Sequence, residues 1–200
     1  MFNDRCGLTA SVIRKTKWKT RRIASKVVRQ WEIAEELTGI LGNPTQREWT
    51  LKEYALKVCP IKVGDIVAVA QSYRTLIEQG YLCRESDGWV SEEYCVSPGF
   101  RNKMFVKPEL MPYKVRVTDI GFERLQDISD EDCLAEGIYE RHDVINSNME
   151  YVKCFTFQNT PHIYATPRDA FAALIDIVCG KGTWERNHYV YVYTFELVKE

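Results

Sequence analysis

Apolar residues recur with a helical period from Ile23 to Leu41: Ile23, Val27, Val28, Trp31, Ala34, Leu37 and Leu41 share one face, and Gly42-Asn43-Pro44 supplies a stop. This pattern predicts a helix over 23–41. Thr50-Leu51-Lys52-Glu53 has the form of a capping box, in which a hydroxyl and a carboxylate three residues apart satisfy the free N–H groups of a helix start. A short second helix running to about Val58 follows from it. Beyond Cys59-Pro60 β-branched residues take over, and Ile61 to Ala70, interrupted by Gly64-Asp65, reads as a turn feeding a buried strand. Asp87-Gly88, between Tyr81-Leu82-Cys83 and Trp89-Val90, predicts a hairpin over 80–96. Tyr113 to Thr118 alternates and predicts a half-buried strand.

In the second half of the chain, Ser129-Asp130-Glu131-Asp132 caps a short helix and Gly137 is placed to stop it in a left-handed conformation. Glu136 then lies on the last turn, against the negative end of the helix dipole, and calls for solvent or a cationic partner. Tyr151 to Phe157 reads as a strand. Thr166-Pro167-Arg168-Asp169 opens a helix that Gly180 ends, with Phe171, Leu174, Ile175 and Val178 towards a core. From Tyr189 to Val198, Tyr189, Tyr191, Tyr193 and Phe195 fall on one face and Val190 and Val192 on the other, as in a central strand of a small barrel or sheet. Strands separated by a few short helices predict an α+β fold. Neither repeats nor low-complexity linkers interrupt the sequence, so residues 1–200 read as a single domain.

With 45% hydrophobic and 28% charged residues, a chain of 200 can bury roughly 70% of the surface its unfolded form exposes and needs no metal or disulfide framework. The longest apolar run, Ala170 to Ile175, falls far short of the roughly 20 residues that span a bilayer, and the first residues lack a signal-peptide apolar region. No membrane partner is expected. The seven cysteines are scattered without a C-x-x-C pair, which predicts reduced, mostly buried thiols in a cytoplasmic protein. The net charge of −1 hides an asymmetry: residues 1–30 hold nine Lys/Arg and one Asp, or +8, so residues 31–200 carry 18 − 27 = −9. A local basic strip on an acidic body points to an anionic ligand met at one place rather than to duplex DNA.

Several familiar sites are excluded. Gly180-Lys181-Gly182 lacks a third glycine and follows a helix, so it is a cap rather than a phosphate loop, and His142, His162 and His188 have no local metal-binding partners. Neither a metal nor a cofactor is predicted. The most unusual segment is Arg14-Lys15-Thr16-Lys17-Trp18-Lys19-Thr20-Arg21-Arg22. Lys15, Lys17, Lys19, Arg21 and Arg22 are candidates for holding phosphate, and Trp18 offers a stacking face to a base. Crowded like charges also lower the pKa of the least solvated lysine, so that it can act as a base, and Thr20 is a candidate nucleophile three residues beyond Lys17. The plainer reading of the segment is an exposed basic helix end.

This segment resembles the Gly-x-Lys-x-x-Thr-x-Arg signature of ASCH domains, members of the PUA-like superfamily, with Lys17, Thr20 and Arg22 in the matching places. The likeness is closest to phage-type ASCH proteins. It extends to Lys62-Val63-Gly64-Asp65, Val117 to Ile120, Glu123 to Asp132, Ala135 to Ile138, and the final helix with Trp184 and the Tyr-Val-Tyr strand. The resemblance implies a PUA-like small β-barrel with flanking helices, an N-terminal helical insertion at about 24–58, and a cleft lined by the basic loop. It departs from the pattern at Lys15, in the place of the signature glycine, at Trp18, where a small residue is usual, and at Ala70-Gln71, where relatives carry Arg-Glu.

Three functions follow. The first is recognition of a nucleobase, nucleoside, nucleotide or RNA in the basic cleft. The alternative is an amidohydrolase of N-acylated cytidine-type nucleosides, since in one bacterial branch of ASCH proteins a lysine, a threonine and a glutamate carry that reaction. The resemblance places them on Lys17, Thr20 and Glu136. The third is a protein-interaction module using residues 23–58.

Overall fold

Two antiparallel sheets organise the computed structural model, which describes residues 2, 4–40, 50–82, 92–145 and 147–198, with backbone alone at 38–40. In chain order the elements are α1 (Leu8–Ile13), β1 (Lys19–Ile23), α2 (Ser25–Ile40), α3 (Leu51–Val58), β2 (Ile66–Ala68), α4 (Tyr73–Glu78), α5 (Glu92–Val96), β3 (Lys114–Arg124), α6 (Asp130–Ala135), β4 (Tyr139–Ile145), β5 (Tyr151–Thr156), α7 (Pro167–Cys179) and β6 (Tyr189–Val198). The fold is mixed α+β, and its larger sheet, ordered β1-β6-β3-β2, curls into a half-barrel. β4 and β5 form the second sheet.

β6 is flanked by β1 and β3 and has both faces covered, because its two alternating sets of side chains enter different cores. Val190 and Val192 pack with Phe171, Leu174 and Ile175 of α7, while Tyr191 and Tyr193 pack with Ala24, Val27, Ala55 and Cys59 from α2, α3 and their flanks. The sequence alternation predicted this division. Burying each large apolar side chain contributes about 1.5–3 kcal/mol, so α7 is held chiefly by the fully buried Phe171 and by Leu174. Thr166 caps α7 by accepting from the Asp169 N–H, Thr50 and Glu53 form the capping box on α3, and Ser129 caps α6. Each cap is the one the sequence predicted.

Three expectations change. The helix predicted over 23–41 begins at Ser25, because Ile23 is the last residue of β1 and pairs with Val190. The basic segment is not a helix end; Lys19–Ile23 is an edge strand drawn out of helical geometry by its ladder to β6. The strand predicted within Ile61 to Ala70 is the short β2, Ile66–Ala68, and it is not buried: Ile66 and Val67 are exposed, because β2 is the edge of the sheet and pairs only with β3. The predicted stop Gly42-Asn43-Pro44 and the turn Asp87-Gly88 lie outside the described residues. Of the predicted range 80–96, Tyr81-Leu82 is a bend and Glu92–Val96 is the helix α5, while Cys83 and Trp89-Val90 also lie outside the described residues. Of the six cysteines described, Cys6, Cys59, Cys133 and Cys154 are buried free thiols and Cys95 and Cys179 are exposed. Among the described residues no helix is long and apolar enough to cross a membrane.

Candidate functional site

The site begins where α1 ends. Lys15 takes a left-handed conformation with φ of 61° and sends its N–H to Val12 O, and the N–H groups of Thr16 and Lys17 both return to Ser11 O. The chain reverses there and enters β1. A lysine is strained in the left-handed region by about 1–2 kcal/mol because its Cβ crowds the backbone. Lys15→Gly is therefore expected to raise stability by about 1 kcal/mol, roughly 2–4 °C in melting temperature for a chain of this size. Thermal melts that stay level or fall contradict the strain.

Beyond the reversal, Trp18 N–H donates to Ala135 O at the end of α6, and Trp18 O accepts from Phe195 N–H on β6. These bonds clamp the basic segment between a helix end and the central strand. The Lys17 side chain, only 1% exposed, lies against the same helix end. Its Nζ donates to Glu136 Oε2 at 2.5 Å, to Glu136 O at 2.8 Å and to Lys19 O at 2.8 Å, so all three ammonium protons have acceptors. Glu136, at the carboxyl end of α6, has found the cation that its position requires. Gly137 follows with φ of 105°, a backbone conformation that a residue with a side chain rarely adopts.

Arg21 completes the cluster. It is nearly sealed from solvent, and its guanidinium donates to Glu136 Oε1 at 3.2 Å, to Asp132 Oδ2 at 2.7 Å and to Glu123 Oε1 through Nε and Nη2 at 3.0 and 2.7 Å. Lys19 Nζ meets the other oxygen of Asp132 at 2.5 Å. Lys17, Lys19 and Arg21 thus face Glu123, Asp132 and Glu136, three cations against three carboxylates. Burial lowers the Lys17 pKa below its ordinary value, and the Glu136 carboxylate opposes that shift without cancelling it. For Arg21 burial is the largest single influence and pulls downward, but Glu136, Asp132 and Glu123 together outweigh it and hold the pKa above its ordinary value. Asp132 is pushed up by its partial burial and brought down further by Lys19 and Arg21, so its pKa ends below the usual carboxylate range. The stability from that shift is complete above the ordinary aspartate pKa and is lost as the pH falls through the depressed one.

The remaining predicted residues are placed differently. Thr20 pairs with Tyr193, and strand alternation puts it on the face of β1 opposite Arg21. It is 8% exposed, and among the described residues no hydrogen bond joins its hydroxyl to Lys17 or Glu136. Arg22 and Lys17 stand at 5.7 and 5.9 Å from the ring centroid of Phe2, which itself lies 5.6 Å from the Phe195 ring. Two cations of the segment already hold one aromatic ring. Lys15 and Trp18 are exposed, Trp18 by 46%.

A cleft of about 540 Å³ opens beside the cluster, lined by Ser11, Arg14, Thr16, Tyr139, Gln158, Asn159 and their neighbours Gly137 and Ile138. Thr16 and Gly137 are the chain neighbours of Lys17 and Glu136. Another cleft, of about 470 Å³, lies over α6 between Glu131, Glu140 and Lys153, and a third, of about 350 Å³, lies between α1 and α4. None of the three is lined by Lys17, Thr20 or Glu136. Among the described residues no group of three His, Cys, Asp or Glu is placed to hold a metal ion.

Sequence reasoning missed Glu123, Asp132, Tyr139, Gln158 and Asn159. A usable signal existed for Asp132, since Lys19 and Arg21 are two residues apart and share a face once the segment is read as a strand. Nothing local marks Gln158, which touches Gly7 from 151 residues away. No protein-family model matches the chain, and neither a curated protein nor a solved structure matches it.

Proposed function

We propose that the chain is an ASCH-type, PUA-like protein that recognises an uncharged nucleobase or nucleoside in the cleft beside the Lys17–Glu136 pair. The observation that carries the reading is the charge balance of the cluster. Lys19 and Arg21, candidates for gripping phosphate, are occupied by Asp132, Glu123 and Glu136. A polyanion gains little from cations already neutralised. What the cleft offers instead is the half-exposed Tyr139 ring, Thr16, two amides and a single arginine, Arg14, a lining suited to a polar aromatic ligand. A panel of nucleosides, nucleotides and RNA oligomers tested by thermal shift is expected to show stabilisation by nucleosides at least equal to that by the matching nucleotides. Stabilisation by RNA oligomers alone contradicts the reading.

Hydrolysis of an N-acylated cytidine is the second reading, favoured by the 2.5 Å Lys17–Glu136 contact. That ion pair is one proton transfer away from a neutral amine and a neutral acid, and burial of Lys17 favours the transfer. In the neutral pair, Lys17 would take the Thr20 hydroxyl proton as the oxygen attacks the amide carbonyl, Glu136 would give its proton to the departing amine as the C–N bond breaks, and water would then cleave the acyl ester from Thr20. Thr20 must turn or shift to reach Lys17, which places this reading second. Chromatography of acetylcytidine incubated with the protein decides it: release of cytidine that disappears in Thr20→Val supports hydrolysis, and no release removes it.

A further inference from the structure

We infer that the outer face of α2 pairs with the same face of a second copy of the chain, the two helices running antiparallel about Ile33. Such pairing does not depend on nucleoside recognition. Val27 and Val28 pack in one core with Tyr54, Ala55 and Cys59, and the Trp31 ring lies 5.4 Å from that of Tyr54, which fixes the inner face of α2. At about 100° per residue the opposite face carries Lys26, Arg29, Ile33, Glu36 and Leu37. Ile33 and Leu37 are 45% and 53% exposed there, and the three charged residues beside them are exposed too.

The charges on this face run against the helix that bears them. Lys26 and Arg29 stand towards the N-terminus of α2 and Glu36 towards its C-terminus, with no acid in the first turn and no base in the last, the reverse of what the helix dipole favours. Among the described residues none of these three side chains enters an ion pair. An antiparallel helix of the same sequence supplies what is missing. With a rise of about 1.5 Å per residue, Arg29 lies about 6 Å to one side of Ile33 and Glu36 about 4.5 Å to the other, so a twofold axis at Ile33 sets Arg29 of each copy level with Glu36 of the other. A parallel pair would set Arg29 against Arg29 and Glu36 against Glu36. In the antiparallel pair Ile33 meets its own copy at the centre, and Leu37 lies against the aliphatic stem of Lys26. The contact is the same patch on both copies, so it closes at a dimer, and its small apolar area places it among weak, reversible associations.

Sedimentation velocity tests the pairing. The parent protein, run from about 5 to about 500 µM at low salt, is expected to show a monomer–dimer equilibrium that weakens several-fold in about 500 mM salt. Arg29→Glu and Glu36→Arg should each weaken dimerisation at least tenfold, because each substitution sets like charges against one another twice. An equimolar mixture of the two variants should associate at least as tightly as the parent: the two substituted residues then face each other and the two original ones face each other, with opposite charges in both places. Both positions are exposed, so each variant is expected to melt with the parent. A parent that stays monomeric throughout, single variants that dimerise as the parent does, or a mixture no tighter than either variant alone overturns the pairing.

Discussion

Lys17→Met is expected to destabilise the protein by about 3–5 kcal/mol, the usual cost of removing one partner from a buried ion pair. Methionine fills much of the same volume, so little of the loss comes from packing. It comes from Glu136, whose Oε2 loses its 2.5 Å partner while staying buried, and from the carbonyls of Glu136 and Lys19, which lose a donor together. For a chain of this length the expected fall in melting temperature is roughly 6–20 °C. The double variant Lys17→Met/Glu136→Leu should recover part of the loss, because the orphaned carboxylate goes with its partner. If the single variant melts within a degree or two of the parent, the ion pair is not a structural element. If the double variant is worse by the full sum of the singles, the two side chains are not coupled.

Arg21→Met is expected to be at least as costly, about 3–5 kcal/mol, because three carboxylates depend on one guanidinium. Arg21→Lys should recover only a minor part, since an ammonium cannot reproduce the planar fork that bonds Glu123 through two nitrogens while reaching Asp132 and Glu136. The pH dependence separates charge from packing. With Arg21 in place the Asp132 pKa is depressed, so its contribution survives until the pH falls through that low value; without Arg21 the loss begins at higher pH. Melting curves from pH 7 to pH 3 check this. Parallel curves for parent and Arg21→Met contradict the role assigned to the guanidinium.

Much of the architecture was legible in local chemistry. Thr50 with Glu53, Ser129 before α6, and Thr166 before α7 mark their helices because a cap needs only a hydroxyl at a fixed distance from free N–H groups. The two faces of β6 were readable because a strand between two neighbours, with both faces covered, must divide its side chains by parity. β1 was not, since five residues rich in arginine and lysine carry no hydrophobic period and take their conformation from β6, some 170 residues away in the chain. The partner of Glu136 was readable in kind, because a carboxylate at a helix end needs a cation. The use of Lys19 and Arg21 by Asp132 and Glu123 was not, because charge counted along the chain cannot show where opposite charges meet in space. That is why a segment carrying eight excess positive charges over residues 1–30 suggested a phosphate grip, whereas its innermost cations lie in a balanced cluster.

The balance of that cluster is the central claim, and salt tests it most directly. Binding of cytidine, acetylcytidine, cytidine monophosphate and a short RNA should be measured by calorimetry between 50 and 500 mM salt, about a threefold change in Debye length. The account predicts saturable nucleoside binding whose affinity is nearly independent of salt, with no gain from added phosphates. Affinity that resides in the RNA and falls steeply with salt would show that the cations of residues 14–22 act on phosphate, and would contradict it.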